Sequence, residues 1–433
     1  MTRLWICDAR VPLCLLDERL PDAGEGLALV DIAVADGLII AVRAARSEAE
    51  PGDAAVLDQD GGQVWPGLVD CHTHLDKGHI WPRADNPDGT FAAALAAVER
   101  DRTAHWSAAD VGARFAFGLR CAFAHGTVAI RTHLDSRPPQ HRISWPVFAE
   151  LRAQWAGRIE LQAVSLVALE EMAGPFGEEI ADLVARAGGV LGCAAYMAPD
   201  LRARLDRVFA LAAGRGLDLD FHVDESLDPA ACSLRAIAEA ALRHRFSGKI
   251  LCGHCCSLAV QAPAEAQRTL ELVARAGIAV VALPLCNLYL QDRAPGRTPR
   301  LRGTTLLHEM AARGIPLALA SDNCRDPFYG YGDHDPVEVF REAVRIAHLD
   351  RPVGAWPAAV TRTPATLMGL PARGRIAAGA PADLVLFRGR GYSELLARPQ
   401  ADRLVLRAGL PIDTTPPDYR ALDAALAKAA GGR

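Results

Sequence analysis

Hydrophobic and polar positions along this chain fall into two regimes. Near the N-terminus, LALVDIAVADGLIIAV (27–42) sets apolar runs on both sides of Asp36-Gly37, the pattern of a two-residue β-hairpin. RIAAGAPADLVLFRG (375–389) has the same texture, with Gly374, Gly379 and Pro381 punctuating it and a strand expected over 384–387. Between these ends, from about Val64 to Leu370, short apolar runs alternate with stretches rich in Ala, Leu and Arg. The runs predict strands over 68–76, 127–135, 160–168, 189–197, 219–225, 250–256, 279–287 and 317–323. DLRARLDRVFALAAGRG (200–216) and LRAIAEAALRHRF (234–246) carry their apolar residues at helical spacing, as helices covering a sheet do.

Eight strands alternating with helices predict an α/β fold, a (β/α)8 TIM barrel with a small β-sandwich domain built from both chain termini. The expected parts are an N-terminal share of the sandwich over 1–64, the barrel over 65–370, and a C-terminal share of the sandwich with an Ala-rich tail over 371–433. An open doubly wound sheet would want a Gly-rich phosphate loop after its first strand, and none stands there.

Composition narrows the partners. The chain has 433 residues, half of them hydrophobic and 23% charged, with a formal net charge of −5 and no dense Lys/Arg cluster. Such a surface suits neither nucleic acid nor an anionic membrane. Asp8, Arg10, Asp17 and Glu18 interrupt the apolar N-terminal stretches, so the reading is of a soluble cytoplasmic protein without a signal peptide. Eleven scattered cysteines read as small buried hydrophobes and not as a disulfide framework.

Metal-capable side chains cluster at the carboxyl ends of the expected strands, the face on which such barrels carry their chemistry. His72 and His74 stand two apart, so both imidazoles project to one side. His222 and Asp322 close two further strands. Three imidazoles and a carboxylate suit one divalent metal ion per subunit, Zn²⁺ or Fe²⁺, and a coordinated water acidified towards neutrality is the expected nucleophile. Glu225, three residues past His222, is the expected proton shuttle, with Asp224 as the alternative. His254 is expected to orient the water and stabilise developing charge, and Asp322 to serve catalysis as well as ligation. Cys252, Cys255 and Cys256 surround His254 without a second C-x-x-C at finger spacing, so they read as a buried strand end.

At this point the motifs resemble those of bacterial barrel-fold cytosine deaminases within the amidohydrolase superfamily. PGLVDCHTHLDK (66–77), FHVDES (221–226), ILCGHCCSLA (250–259), LPLCNLYLQDR (283–293), RGTTLLHEM (302–310) and ASDNCRDPFYGYGDHDPVEVFREAVRIAHL (320–349) carry the likeness. The resemblance implies metal ligands at His72, His74, His222 and Asp322, a shuttle at Glu225 and a water-orienting imidazole at His254. It implies one metal, because GCAAYM (192–197) lacks the Lys that bridges two. Two positions depart from the pattern. Ala168 stands where such enzymes place a pyrimidine-reading Gln, and Asn323 stands where they place an Asp. Lys77 follows the first motif, and HLDK also occurs in relatives acting on aminated triazines such as N-isopropylammelide.

The function expected is therefore a hydrolytic deaminase of a small aminated N-heterocycle, cytosine or a related pyrimidine or triazine, that releases ammonia. The alternatives are a cyclic amidohydrolase, an N-alkylammelide-type amine-releasing hydrolase, and a barrel that binds without turnover. Lys77, Trp81, Asn287, Asn323, Arg325 and Phe328, with Asp326 and Tyr329, are the expected substrate contacts. The partners expected are that substrate and other copies of the chain.

Overall fold

The computed structural model describes residues 3–45 and 54–427. The last residues of the Ala-rich tail, 428–433, lie outside the described residues, as do 1–2 and 46–53 of the N-terminal segment.

Every expected strand of the middle region is present. They are β1 (Leu68–Thr73), β2 (Thr127–Asp135), β3 (Glu160–Leu166), β4 (Leu191–Ala195), β5 (Leu219–Val223), β6 (Ile250–His254), β7 (Ala279–Ala282) and β8 (Leu317–Leu319). Each successive pair is separated by at least one helix, among them Leu201–Ala213 and Ser233–His244. β4 to β8 form one sheet in sequential order with every neighbouring pair parallel, as helical crossovers require. β1, β2 and β3 form a second sheet in the order β1-β2-β3. Isolated parallel bridges join the two sheets at both margins: Val164 to Val190 and Ala168 to Ala194 on one side, Thr73 to Asp322 on the other. Every residue of β1, β2 and β6 is buried, which explains why these strands read as continuous apolar runs without alternation.

One expectation needs correcting. The run 279–287 does not stay extended. β7 ends at Ala282, and Pro284–Leu290 is a short helix with Pro284 in its first turn. Proline has no N–H to lose there and its φ is already helical.

The chain divides into two compact units. One comprises Met1–Asp70, Arg120–Ala129 and Asp335–Pro416. It holds two four-stranded sheets that combine both chain ends. The first runs in the order Leu38–Ala44, Leu27–Ala35, Arg3–Pro12, Ala55–Asp58, and the second in the order Leu410–Pro411, Leu404–Arg407, Leu384–Leu386, Val64–Pro66. The Asp36-Gly37 hairpin forms as expected, with φ of +50° and +81° between paired Ala35 and Leu38, the doubly left-handed turn that suits strand twist. Trp65 meets Phe340 and Phe387 edge-on at 5.3 and 5.7 Å. Arg403 and Asp335, both nearly buried, pair at 2.8 Å.

The other unit comprises Cys71–Leu119, Ile130–His334 and Pro417–Arg433, and it contains every candidate site residue. Among the described residues no helix is long and apolar enough to cross a membrane.

Candidate metal centre

His72 lies in β1, with His74 just beyond its end; His222 lies in β5, His254 closes β6, and Asp322 follows β8. The backbone locks Asp322 to β1: its N–H donates to the His72 carbonyl at 2.8 Å, and the Thr73 hydroxyl donates to the Asp322 carbonyl at 2.8 Å. Asp322, His254 and Cys255 all take left-handed backbone angles, φ +60°, +69° and +54°. Non-glycine residues hold such angles at a cost, and they cluster where side chains are aimed for function. β6 comes close to His72 because residue 253 is glycine: a Cβ there would lie 3.0 Å from the His72 ring.

The result is a knot of imidazoles, all buried but the part-buried His222, around one carboxylate. The Nε2 atoms of His72 and His74 lie 3.6 and 3.2 Å from Asp322 Oδ1, and His222 Nε2 lies 3.4 Å from His74 Nε2. Four tetrahedral bonds of about 2.0–2.1 Å would separate ligand atoms by roughly 3.3 Å. Two imidazole nitrogens facing each other at such a distance repel unless a proton or a cation lies between them. Burial, and then the surrounding imidazoles, drive the His222 pKa well below its usual value. His74 is lowered in the same way, by burial and then by Lys77. Burial alone would raise Asp322, but the close approach of His72 and His74 and the neighbouring imidazoles outweigh it and hold the carboxylate well below its ordinary range. Neutral imidazoles and an ionised carboxylate are the protonation states that bind a metal. His74 Nδ1 and His222 Nδ1 find no hydrogen-bond partner among the described residues. The three Nε2 atoms and the carboxylate, spaced as tetrahedral ligands are, fit a divalent cation.

Glu225 Oε1 lies 3.4 Å from His254 Nδ1. Burial, reinforced by the charge of Asp322, raises its pKa well above the usual carboxylate value. Asp224, the alternative shuttle, serves the fold instead. Its carboxylate accepts the N–H groups of Ser233 and Leu234 at 2.9 and 3.0 Å and so caps the helix Ser233–His244. Cys252, Cys255 and Cys256 are buried thiols.

A cavity of about 340 Å³ opens onto this centre. His74, His222, Glu225, His254 and Asp322 line its floor, and Lys77, Asn323 and Phe328 stand in its walls with Ala168 and Ala194. Lys77 Nζ sits 4.6 Å over the Phe328 ring. Burial would lower its pKa, but the charges of Asp135, Asp326, Asp322 and Asp76 raise it instead.

The remaining expected contacts stand outside the lining. Arg325 lies over the Tyr419 ring at 4.2 Å, held there by a ring in its own unit that sequence spacing does not reveal. Trp81 packs so closely on Gly330 that a Cβ on the glycine would lie 3.1 Å from its ring. Asp326 accepts from Asn323 Nδ2 at 2.7 Å and from the Phe328 N–H at 2.8 Å, which orders the loop after Asp322. Tyr329 meets Tyr289 and Tyr331 edge-on. Asn287 faces Glu225 and His254, not the cavity.

Sequence reasoning missed His133. Its ring lies 3.9 Å from that of His72, and it belongs with His72 and His74 to a group whose ligand atoms lie within 4.8 Å of one another. Its Nε2 meets Asp220 Oδ1 at 3.1 Å, and Asp220 also accepts from Arg131 at 3.1 Å. A signal was available: Thr132-His133-Leu134-Asp135 repeats Thr73-His74-Leu75-Asp76, and Asp220 stands two before His222 on the same side of β5.

A model of the amidohydrolase family matches residues 168–412. The chain is 56% identical to a pterin deaminase of Rhizobium rhizogenes (strain K84) over 422 residues, covering 97% of this chain and 96% of that protein. Among solved structures, 5-methylcytosine deaminase from Klebsiella pneumoniae with 5-fluorocytosine superposes with a TM-score of 0.79 at 23% identity, covering 94% of this chain and 97% of that one. An adenosine deaminase from Xanthomonas campestris with bound zinc superposes with a TM-score of 0.64 at 19% identity, covering 98% of this chain and 97% of that one. The chain belongs to the amidohydrolase family and is a hydrolase of carbon–nitrogen bonds.

Proposed function

We propose that the chain is a metal-dependent hydrolytic deaminase of a fused, amino-bearing N-heterocycle of the pterin type. The metal-centre geometry carries the chemistry: Nε2 atoms of His72, His74 and His222 and the Asp322 carboxylate approach one another at 3.2–3.6 Å, with Glu225 beside them in the same cavity. The substrate class rests on the 56% identity to a pterin deaminase. It agrees with the pair Ala168 and Ala194, whose small side chains leave the cavity wall open where a Gln would fill it. We read the eight bridged strands as a (β/α)8 barrel and the two terminal sheets as a β-sandwich, with the centre at the carboxyl ends of the strands.

His72, His74, His222 and Asp322 would hold one divalent cation, zinc or iron, whose charge acidifies water and polarises the carbon under attack. Glu225 takes the proton of the attacking water and passes it to the ring nitrogen; it then takes the hydroxyl proton of the tetrahedral adduct and hands it to the departing amino group. Its raised pKa lets it carry each proton and return it to nitrogen. A carbon–oxygen bond forms at the amino-bearing carbon, the carbon–nitrogen bond breaks, and ammonia leaves a carbonyl product. His254 presents Nε2 towards the reacting oxygen. Lys77 and Asn323 bound the ring, and Phe328 gives it an apolar face.

Ammonia release should be assayed with pterin, cytosine, isocytosine, ammelide and creatinine, alongside amine release from N-isopropylammelide and ring opening of hydantoin. Turnover of pterin well above the single-ring compounds is expected. Release of isopropylamine or opened hydantoin with pterin inert would overturn the reading in favour of its rivals.

A further inference from the structure

Four imidazoles crowd this centre besides His133, three of them buried and His222 partly so, and simple proximity makes His254 as able to ligate as the others. His72, His222 and His254 form a group whose ligand atoms lie within 4.8 Å of one another. What separates His254 from the ligands is its other ring nitrogen.

His254 Nδ1 lies 3.0 Å from Asn287 Nδ2, and the same amide nitrogen lies 3.4 Å from Glu225 Oε1. An amide nitrogen has hydrogens to give and no lone pair to offer, so both neighbours must accept from it. Asn287 is 2% exposed and His254 1%, so water cannot take the place of either partner. The amide is held from behind. Asn287 stands in the helix Pro284–Leu290, where its N–H donates to the Leu283 carbonyl at 3.0 Å. One turn further on, Gln291 Nε2 donates to the Glu225 carbonyl at 3.3 Å. Residues four apart share a helix face, so this helix brings two amides to the Glu225 and His254 pair. On the far side of the ring, His254 Nε2 is buried and finds no hydrogen-bond partner among the described residues.

We infer that Asn287 is a positioning residue that fixes the tautomer of His254: it donates to Nδ1, leaves the proton on Nε2, and so makes this imidazole a hydrogen-bond donor in place of a fifth metal ligand. A neutral imidazole carries one N–H, and the bond made by one nitrogen decides which nitrogen carries it. An Nε2 that bears hydrogen cannot ligate, but it can donate to an oxygen gaining negative charge. The inference rests on the proposed deaminase reading for the oxygen it serves, while its geometry is independent of the substrate.

The test uses the full-length, zinc-loaded protein labelled with ¹⁵N-histidine, with His254→Ala identifying the His254 resonances. In the wild type, His254 Nε2 should show the signature of a protonated nitrogen and Nδ1 that of an acceptor. Asn287→Asp replaces a donor by an acceptor and should reverse the two signatures. It should lower kcat by about 10²–10³-fold, the usual effect of losing one such donor, while KM and bound zinc change less than about twofold. An unprotonated Nε2 in the wild type would overturn the inference even if Asn287→Asp does not fold. So would an Asn287→Asp enzyme with reversed signatures and undiminished kcat. If instead no substrate in the panel releases ammonia, the functional reading fails and the tautomer measurement stands by itself.

Discussion

Glu225 is the residue on which turnover and metal retention should separate. It stands in the cavity 3.4 Å from His254 but outside the His72, His74, His222 and Asp322 quartet. Glu225→Gln keeps the shape and removes the proton carrier. Bound zinc should stay at the wild-type level while ammonia release falls by several orders of magnitude, as parallel metal analysis and steady-state kinetics would show; near-normal release would remove Glu225 from its role. His133 offers a different test. Burial, and then the neighbouring His72, lower its pKa to about 4 in the folded chain. An unfolded histidine titrates near 6.5. The unfolded chain therefore binds an extra proton between those values, and stability falls as pH drops from about 6.5 towards 4, by about 3 kcal/mol for this group alone. Metal-free protein should melt progressively lower over that window, and His133→Asn should flatten the slope by roughly one proton. Equal slopes would show that His133 does not titrate between the two states. This histidine was passed over in the sequence because it stands alone in its strand, although Thr132-His133-Leu134-Asp135 repeats the Thr73-His74-Leu75-Asp76 pattern. His72 and His74 announced themselves through their separation of two, whereas His133 finds Asp220 and His72 only in the fold.

Elements were legible where burial alone dictates them. β1, β2 and β6 are buried along their whole length, so their runs stand out from the amphipathic helices between them. The hairpin at Asp36-Gly37 was legible for a backbone reason, since few residues other than Asn, Asp and Gly accept φ above zero twice in succession. The helix Pro284–Leu290 was not, because seven apolar and amide residues after a strand look like more strand, and only Pro284 marks the change of direction. The C-terminal segment was illegible for a further reason: its role depends on residues far away in sequence. Tyr419 lies 5.3 Å from Phe117 and 6.4 Å from His79, donates to Asp333 at 3.2 Å and carries Arg325 on its face; the Ala425 carbonyl accepts from Arg83 at 2.9 Å. The Arg325 carbonyl in turn accepts the Trp81 N–H at 2.8 Å, so this segment braces the loops that follow β1 and β8. A chain ending at Pro416 should keep its strands by circular dichroism, melt several degrees lower, and show a raised KM because Phe328 and Asn323 sit on the loosened loop. An unchanged KM would confine the segment to stability.

At the scale of the whole molecule, one buried charge arrangement couples fold and chemistry. Four buried imidazoles, the part-buried His222 and the buried Asp322 carboxylate gather in one region. His74, His222 and His254 each keep a ring nitrogen without a hydrogen-bond partner among the described residues. Unpaired polar groups of this kind cost free energy on burial. A cation bound only by the assembled Nε2 and carboxylate atoms would not pair those nitrogens, but it would offset their cost by stabilising the native state by RT ln(1 + [L]/Kd), about 2.7 kcal/mol at a hundredfold excess over Kd. The strand pattern foretold this assembly only in part: His-x-His and the late Asp322 were readable from the chain, but the depth of burial that makes the knot unstable without an ion comes from packing. Chelation followed by dialysis should therefore lower the melting temperature by several degrees and abolish turnover. Restoration should depend on the chemistry of the donors. Imidazole nitrogen suits zinc and ferrous iron, whereas magnesium and calcium demand oxygen. Zinc or iron should recover both stability and ammonia release at one ion per chain, and magnesium at equal concentration should recover neither. Two ions taken up per chain, or full recovery with magnesium, would place the ligand set elsewhere than on His72, His74, His222 and Asp322.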